Sequence, residues 1–103
     1  MHARVTRYEG VGADQMEENL QRKKQVLPTE PGQTEGMKGV VFLTDLTTGG
    51  ITVISLWEDE DALWSSEDEA IRVREEVTEP GESASVQHCK VALLEVEQAS
   101  PGN

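Results

Sequence analysis

The sequence predicts an α+β domain with the order strand–helix–strand–strand–helix–strand, its four strands forming one antiparallel sheet. Three observations predict it. Short runs rich in β-branched and aromatic residues alternate with two stretches of helical spacing. The two middle runs are joined by Thr47-Thr48-Gly49-Gly50, which reads as the turn of a hairpin. Apolar residues also occupy adjacent positions in those runs, Val41 beside Phe42 and Val53 beside Ile54, so both faces of the sheet are apolar.

The first strand spans His2 to Tyr8. Its alternation places His2, Arg4, Thr6 and Tyr8 on one face and Ala3, Val5 and Arg7 on the other, the second set being read as the helix-facing one. Gly10-Val11-Gly12 ends it. Asp14 and Glu17 have the spacing of a reciprocal N-terminal cap, and Met16, Leu20, Lys23 or Lys24, and Leu27 follow at helical intervals. Pro28 stops this helix, and a Pro- and Gly-rich loop runs from Thr29 to Gly36. The second strand covers Lys38 to Thr44 and the third Ile51 to Trp57. An acidic helical turn opens at Glu58 and reaches Leu63. Ser66 and Glu69 form a second capping pair for a helix through Ala70, Ile71, Val73, Arg74 and Val77, which Pro80-Gly81 ends. The fourth strand is expected from Ser85 to Val96. Residues 1–97 are read as a single domain and 98–103 as a frayed tail.

Composition narrows the function. The chain has 103 residues, 36 % of them hydrophobic, so its core is thin and a subunit interface would support it. Two helices shelter one face of the sheet, and a two-fold copy of the same sheet is the economical cover for the other, giving a homodimer through sheet faces. Nine basic residues against twenty acidic ones give a net charge of −11, which opposes nucleic-acid binding. Eleven of the acids lie between Glu58 and Glu82, a solvated face or a docking surface for a basic partner. The single cysteine, Cys89, permits no internal disulfide or cysteine-rich metal site. No run approaches the length of a membrane span or a secretory leader. The expectation is a soluble, cytoplasmic protein with no membrane or nucleic-acid partner.

Three stretches carry a resemblance to a known family. They are His2-Ala3-Arg4-Val5-Thr6-Arg7-Tyr8-Glu9-Gly10, the approach to the second strand at Gly36-x-x-Gly39, and Ile54-Ser55-Leu56-Trp57-Glu58-Asp59-Glu60-Asp61-Ala62-Leu63. In this order, across nearly the whole chain, they resemble the antibiotic biosynthesis monooxygenase-like group of dimeric α/β-barrel proteins. The resemblance implies a ferredoxin-like subunit whose sheet packs on a second sheet to close a barrel. It also implies a small aromatic ligand in a cleft between sheet and helices. Members include cofactor-independent monooxygenases acting on polycyclic aromatic substrates, haem-degrading enzymes, isomerases and proteins of no established activity, so the fold does not name the chemistry.

The candidate site residues follow from that comparison and from side-chain chemistry. Trp57 and Trp64 are substrate-binding candidates, since an indole stacks on planar molecules and offers an N–H; Trp57 is more readily a core residue plugging the sheet–helix joint, whereas Trp64 follows an acidic run and is less easily explained as core. Tyr8, the only tyrosine, joins them. His88 is the candidate base, because a neutral imidazole accepts a proton near neutral pH; its alternative is a surface or interface histidine. Arg7, read as partly buried, either pairs with an acid of this chain or steadies a substrate oxyanion. The chain departs from the family in two ways. The oxygenases place an Asn on a strand near the Trp, whereas the asparagines here are Asn19, on the first helix, and Asn103. Haem degraders place a His on the second helix, whereas the stretch from Ser66 to Glu79 has none. Haem is therefore not expected, nor any other cofactor, and no metal is expected because Asp59, Glu60 and Asp61 are consecutive and splay around a helix start. The function expected is a cofactor-independent monooxygenase or related enzyme, the alternatives being a non-catalytic ligand-binding or stress-response module and a purely structural protein.

Overall fold

A computed structural model describes residues 1–97. Strand β1 (His2–Glu9) is followed by a 3-10 turn (Ala13–Gln15), helix α1 (Met16–Val26), strands β2 (Met37–Thr44) and β3 (Ile51–Trp57), helices α2 (Glu60–Ser65) and α3 (Glu67–Val77), and strand β4 (Ser83–Lys90). The strands form one antiparallel sheet in the order β2-β3-β1-β4. This is the α+β, ferredoxin-like arrangement predicted. The expected tail at 98–103 lies outside the described residues. No helix among the described residues is long and apolar enough to cross a membrane.

The hairpin forms where the sequence placed it. Asp45 organises the turn: its carboxylate accepts from the Thr47 and Thr48 amides at 2.8 and 3.0 Å. Gly49 takes φ +81, and a Cβ there would meet the Gly12 and Ala13 backbone at 2.7 Å, so the turn tip and the 3-10 turn pack with room for hydrogen only. Lys38 is an extra residue between the pairs Met37–Trp57 and Gly39–Leu56, a bulge near the start of β2.

Both sheet faces are apolar, as predicted. Towards the helices point Tyr8, Ile51, Val53, Val40 and Phe42, which pack with Leu20, Leu27, Val73 and Val77. A second cluster gathers Met37, Trp57 and Leu63 where α2 meets the sheet. The opposite face carries Val5, Val41, Leu43, Ile54 and Leu56, which the register places side by side. Val41 and Leu43 are 42 % and 49 % exposed there.

Four local expectations are corrected. Asp14 does not cap α1; the Gln15 amide donates to the Gly12 carbonyl, which winds Asp14 into the 3-10 turn. Ser66 does not form a capping pair with Glu69. Its hydroxyl donates to the Leu63 carbonyl, and Asp59 instead caps α2 by accepting from the Ala62 amide. Strand β4 stops at Lys90 and not near Val96. The Val91 amide reaches the Met1 carbonyl, and β1 offers no further partner. Finally, the helix-facing set of β1 is His2, Arg4, Thr6 and Tyr8. Arg7 is exposed on the open face, where it donates to Gln87 at 2.6 Å.

Candidate functional site

The sheet and its helices enclose a cleft of about 170 Å³. Its floor is the helix-facing row of the central strands: Arg4, Thr6 and Tyr8 from β1, Val53, Ser55 and Trp57 from β3, Met37 and Val40 from β2. Its roof comes from α3, through Ser66, Glu69, Ala70, Val73 and Arg74, and its side from the end of α1 and the loop beyond it, through Val26, Leu27 and Pro28. The strand period of two selects the floor, and the helical spacing of Ser66, Ala70, Val73 and Arg74 selects the roof. An apolar cavity of about 150 Å³ holds benzene. A cleft of this size has room for one or two rings, and its open side leaves space for a larger ring system to extend into solvent.

Trp57 is buried and forms one wall. Its indole N–H donates to the Ser55 hydroxyl at 2.9 Å, which fixes the ring plane. The Arg4 guanidinium lies 5.3 Å from the ring centroid. Tyr8 lines the cleft beside it. Burial pushes the Tyr8 phenol up to about 12, with nearby Glu82 adding to the rise and Arg74 opposing it. The phenol therefore keeps its proton at neutral pH and is available to donate a hydrogen bond.

Arg4 links the cleft to a cluster outside it. Its Nε donates to Glu67 Oε2 at 3.0 Å, and its Nη2 donates to the Leu63 carbonyl and the Ser66 hydroxyl at 2.8 and 2.9 Å. Burial lowers the Arg4 guanidinium from its ordinary value and the Glu67 charge opposes that, so Arg4 remains a cation. Glu67 feels the reverse balance. Burial pushes its carboxyl up, but the His88 hydrogen bond and the Arg4 charge outweigh this and hold it below the usual range. His88 Nε2 lies 2.9 Å from Glu67 Oε2, and its ring stacks on Trp64 with centroids 4.4 Å apart.

The structure thus divides the predicted residues. Trp57 and Tyr8 share the cleft. Trp64 and His88 share the outer cluster and do not line the cleft. Arg7 lies on the opposite face of the sheet, which corrects its expected place on the helix-facing side: β1 turns its even-numbered residues to the helices, where Tyr8 fills the core.

Sequence reasoning missed Arg4, Glu67 and Arg74. It also missed a buried ion pair behind Tyr8, where Lys23 Nζ meets Glu82 Oε1 at 2.7 Å and Asn19 Oδ1 at 2.9 Å. Arg4 was placed on the correct strand and the wrong face. Arg74 carried a signal, since it sits one residue after Val73 and three before Val77, both buried. Among the described residues, no group of three or more His, Cys, Asp or Glu is placed to hold a metal ion.

No protein-family model matches the chain, and no curated protein matches it. Solved structures do. A provisionally assigned antibiotic biosynthesis monooxygenase from Deinococcus radiodurans superposes with a TM-score of 0.64 at 11 % identity, covering 96 % of this chain and 100 % of that one. The heme-degrader MhuD of Mycobacterium tuberculosis, with two hemes in its active site, gives 0.60 at 17 % identity over 93 % and 100 %. A mutant of SnoaB, a cofactor-independent oxygenase from Streptomyces nogalater, gives 0.59 at 14 % identity over 93 % and 97 %. The chain has the fold of the antibiotic biosynthesis monooxygenase-like proteins, as its sequence resemblance implied.

Proposed function

We propose that this chain is an enzyme that takes an electron-rich aromatic or polyketide-like molecule into the sheet–helix cleft and oxygenates it without a cofactor. The observation that carries the reading is the cleft itself: an apolar slot with the Trp57 ring as a wall and the protonated Tyr8 hydroxyl and two guanidinium groups along its lining. An anthrone-type phenol fits that chemistry. Loss of a proton from its methylene carbon gives a carbanion delocalised onto oxygen. The carbanion passes one electron to dioxygen, the radical pair couples to a hydroperoxide, and loss of water leaves a carbonyl. One dioxygen is consumed, with one oxygen atom ending in product and the other in water.

In this reading Trp57 stacks on the rings and Tyr8 donates to the developing oxyanion. His88 acts as base for a substrate whose acidic carbon projects past Arg4 towards Trp64. Arg7, on the far face, serves the subunit contact. The test is dioxygen uptake by chelator-treated protein given several anthrone-type phenols. Uptake above buffer, matched by carbonyl product and reduced in Tyr8→Phe, is expected. Uptake equal to buffer with every phenol rejects the enzyme.

Haem does not suit this cleft. Its lining contains no His or Cys, and Met37 is its only soft donor. One observation favours a second reading, a non-catalytic ligand-binding or stress-response module: no lining residue is a base that titrates near neutrality, since Tyr8 holds its proton. Saturable binding without uptake selects it.

Either reading includes a homodimer closed over the open face, where Val41 and Leu43 stand exposed beside Ile54 and Leu56, and a cytoplasmic location suited to the lone Cys89. Sedimentation at micromolar concentration is expected to give a dimer, and Leu43→Glu to give a monomer. A folded monomer of the unsubstituted chain at every concentration rejects the barrel.

A further inference from the structure

The polar groups around the inner end of the cleft do not all find partners. Arg4 places its Nε on Glu67 and its Nη2 on the Leu63 carbonyl and the Ser66 hydroxyl. Glu67 Oε2 is shared between Arg4 and His88. Its other oxygen lies 3.9 Å from Arg74 Nη2, beyond hydrogen-bond range. That Arg74 nitrogen is buried and has no hydrogen-bond partner, although the side chain as a whole keeps 19 % of its surface. Arg74 lines the cleft.

Arg4 and Arg74 both face the single carboxylate of Glu67, which lies 2.8 Å from Arg4 and 3.9 Å from Arg74. Glu69 also lines the cleft, but its carboxylate pairs with Arg72 on the exposed side of α3. A protein with a net charge of −11 therefore keeps a buried guanidinium nitrogen without a hydrogen-bond acceptor on a residue that lines this apolar cleft. A buried guanidinium N–H without an acceptor is unfavourable and calls for an oxygen of opposite charge.

We infer that Arg74 is an anion-binding subsite of the cleft, and that the ligand is a planar aromatic molecule bearing a carboxylate. The inference rests on the small-molecule role proposed for the cleft and names the class of its ligand. A carboxylate fits better than a phenol for two reasons. It is ionised at neutral pH, whereas a phenol near its ordinary pKa of about 10 is not. Its two oxygens also match the fork of a guanidinium. The rings would lie along Trp57 while the carboxylate faces Arg74.

The experiment uses two probes of equal shape, 1-naphthoate and 1-naphthamide, titrated calorimetrically against the unsubstituted full-length protein. Naphthoate is expected to bind about tenfold more tightly than naphthamide, the scale of one charge-assisted hydrogen bond. Arg74→Gln should remove that preference, and Arg74→Lys should restore part of it. Equal affinity of the two probes for the unsubstituted protein overturns the inference while the cleft reading stands, and needs no variant to fold. An equal loss for both probes in Arg74→Gln also overturns it. Binding of neither probe rejects the cleft as a small-molecule site, and the inference falls with it.

Discussion

Replacing Lys23 with Met will destabilise the protein by about 3–5 kcal/mol, the usual consequence of stripping one partner from a buried ion pair. Lys23 has no exposed side-chain surface, and Glu82 keeps 1 %. All three ammonium protons are used: on Glu82 at 2.7 Å, Asn19 at 2.9 Å and the Val77 carbonyl at 3.1 Å. The ammonium also lies 4.5 Å from the centroid of the Tyr8 ring. Three elements are thereby held together: α1, the end of α3 and the turn into β4. Met preserves most of the volume but leaves the Glu82 carboxylate in a dry site with the Asn19 amide and the Glu79 N–H. Lys23→Met/Glu82→Leu should recover most of the loss, because it removes both charges together. Urea unfolding measures each. A single-variant cost below about 1 kcal/mol would show that water reaches the pair.

Trp57→Ala will cost about 3–5 kcal/mol and abolish ligand binding in the cleft. The ring is 3 % exposed, packs with Met37 and Leu63, and is the wall on which a planar molecule would rest. Its removal joins a core void to the existing cleft, so the surroundings cannot simply collapse. Trp57→Phe separates the two roles. It keeps an aromatic wall, loses the Ser55 hydrogen bond, and should cost less than Ala in the same urea titration. If Ala binds the naphthalene probes as well as the native chain does, Trp57 is packing alone.

The parts of this fold that are legible in sequence are those decided over short distances. The hairpin needs only two β-rich runs and a Gly-containing turn. The two apolar faces need only adjacent apolar residues, Val41 with Phe42 and Val53 with Ile54, in a strand of period two. The facing of β1 failed on the same rule. When both faces are apolar, alternation says which residues travel together and is silent on which set meets the helices. The acids and bases were harder still. Lys23 and Lys24 look alike in composition, and only the partner at Glu82 and the carbonyl of Val77 decide which turns inward. Helical spacing from Leu20 and Leu27 puts Lys23 on the buried side, a clue too weak to outweigh the usual exposure of lysine. The over-long β4 has a similar lesson. Residues 91–96 have strand composition, yet a strand exists only where another lies beside it, and β1 begins at His2.

The position of β1 between β3 and β4 bears on how the molecule is made. During synthesis its first strand can pair with β3 once the hairpin has emerged, but its other flank waits for residues 83–90. In that interval the nascent chain shows a bare strand edge, and the α3 residues meant to roof the floor have only a three-stranded ribbon to settle on. Released chains truncated before Ser83 should therefore recruit chaperones and expose β1 to proteases more than released chains that include β4.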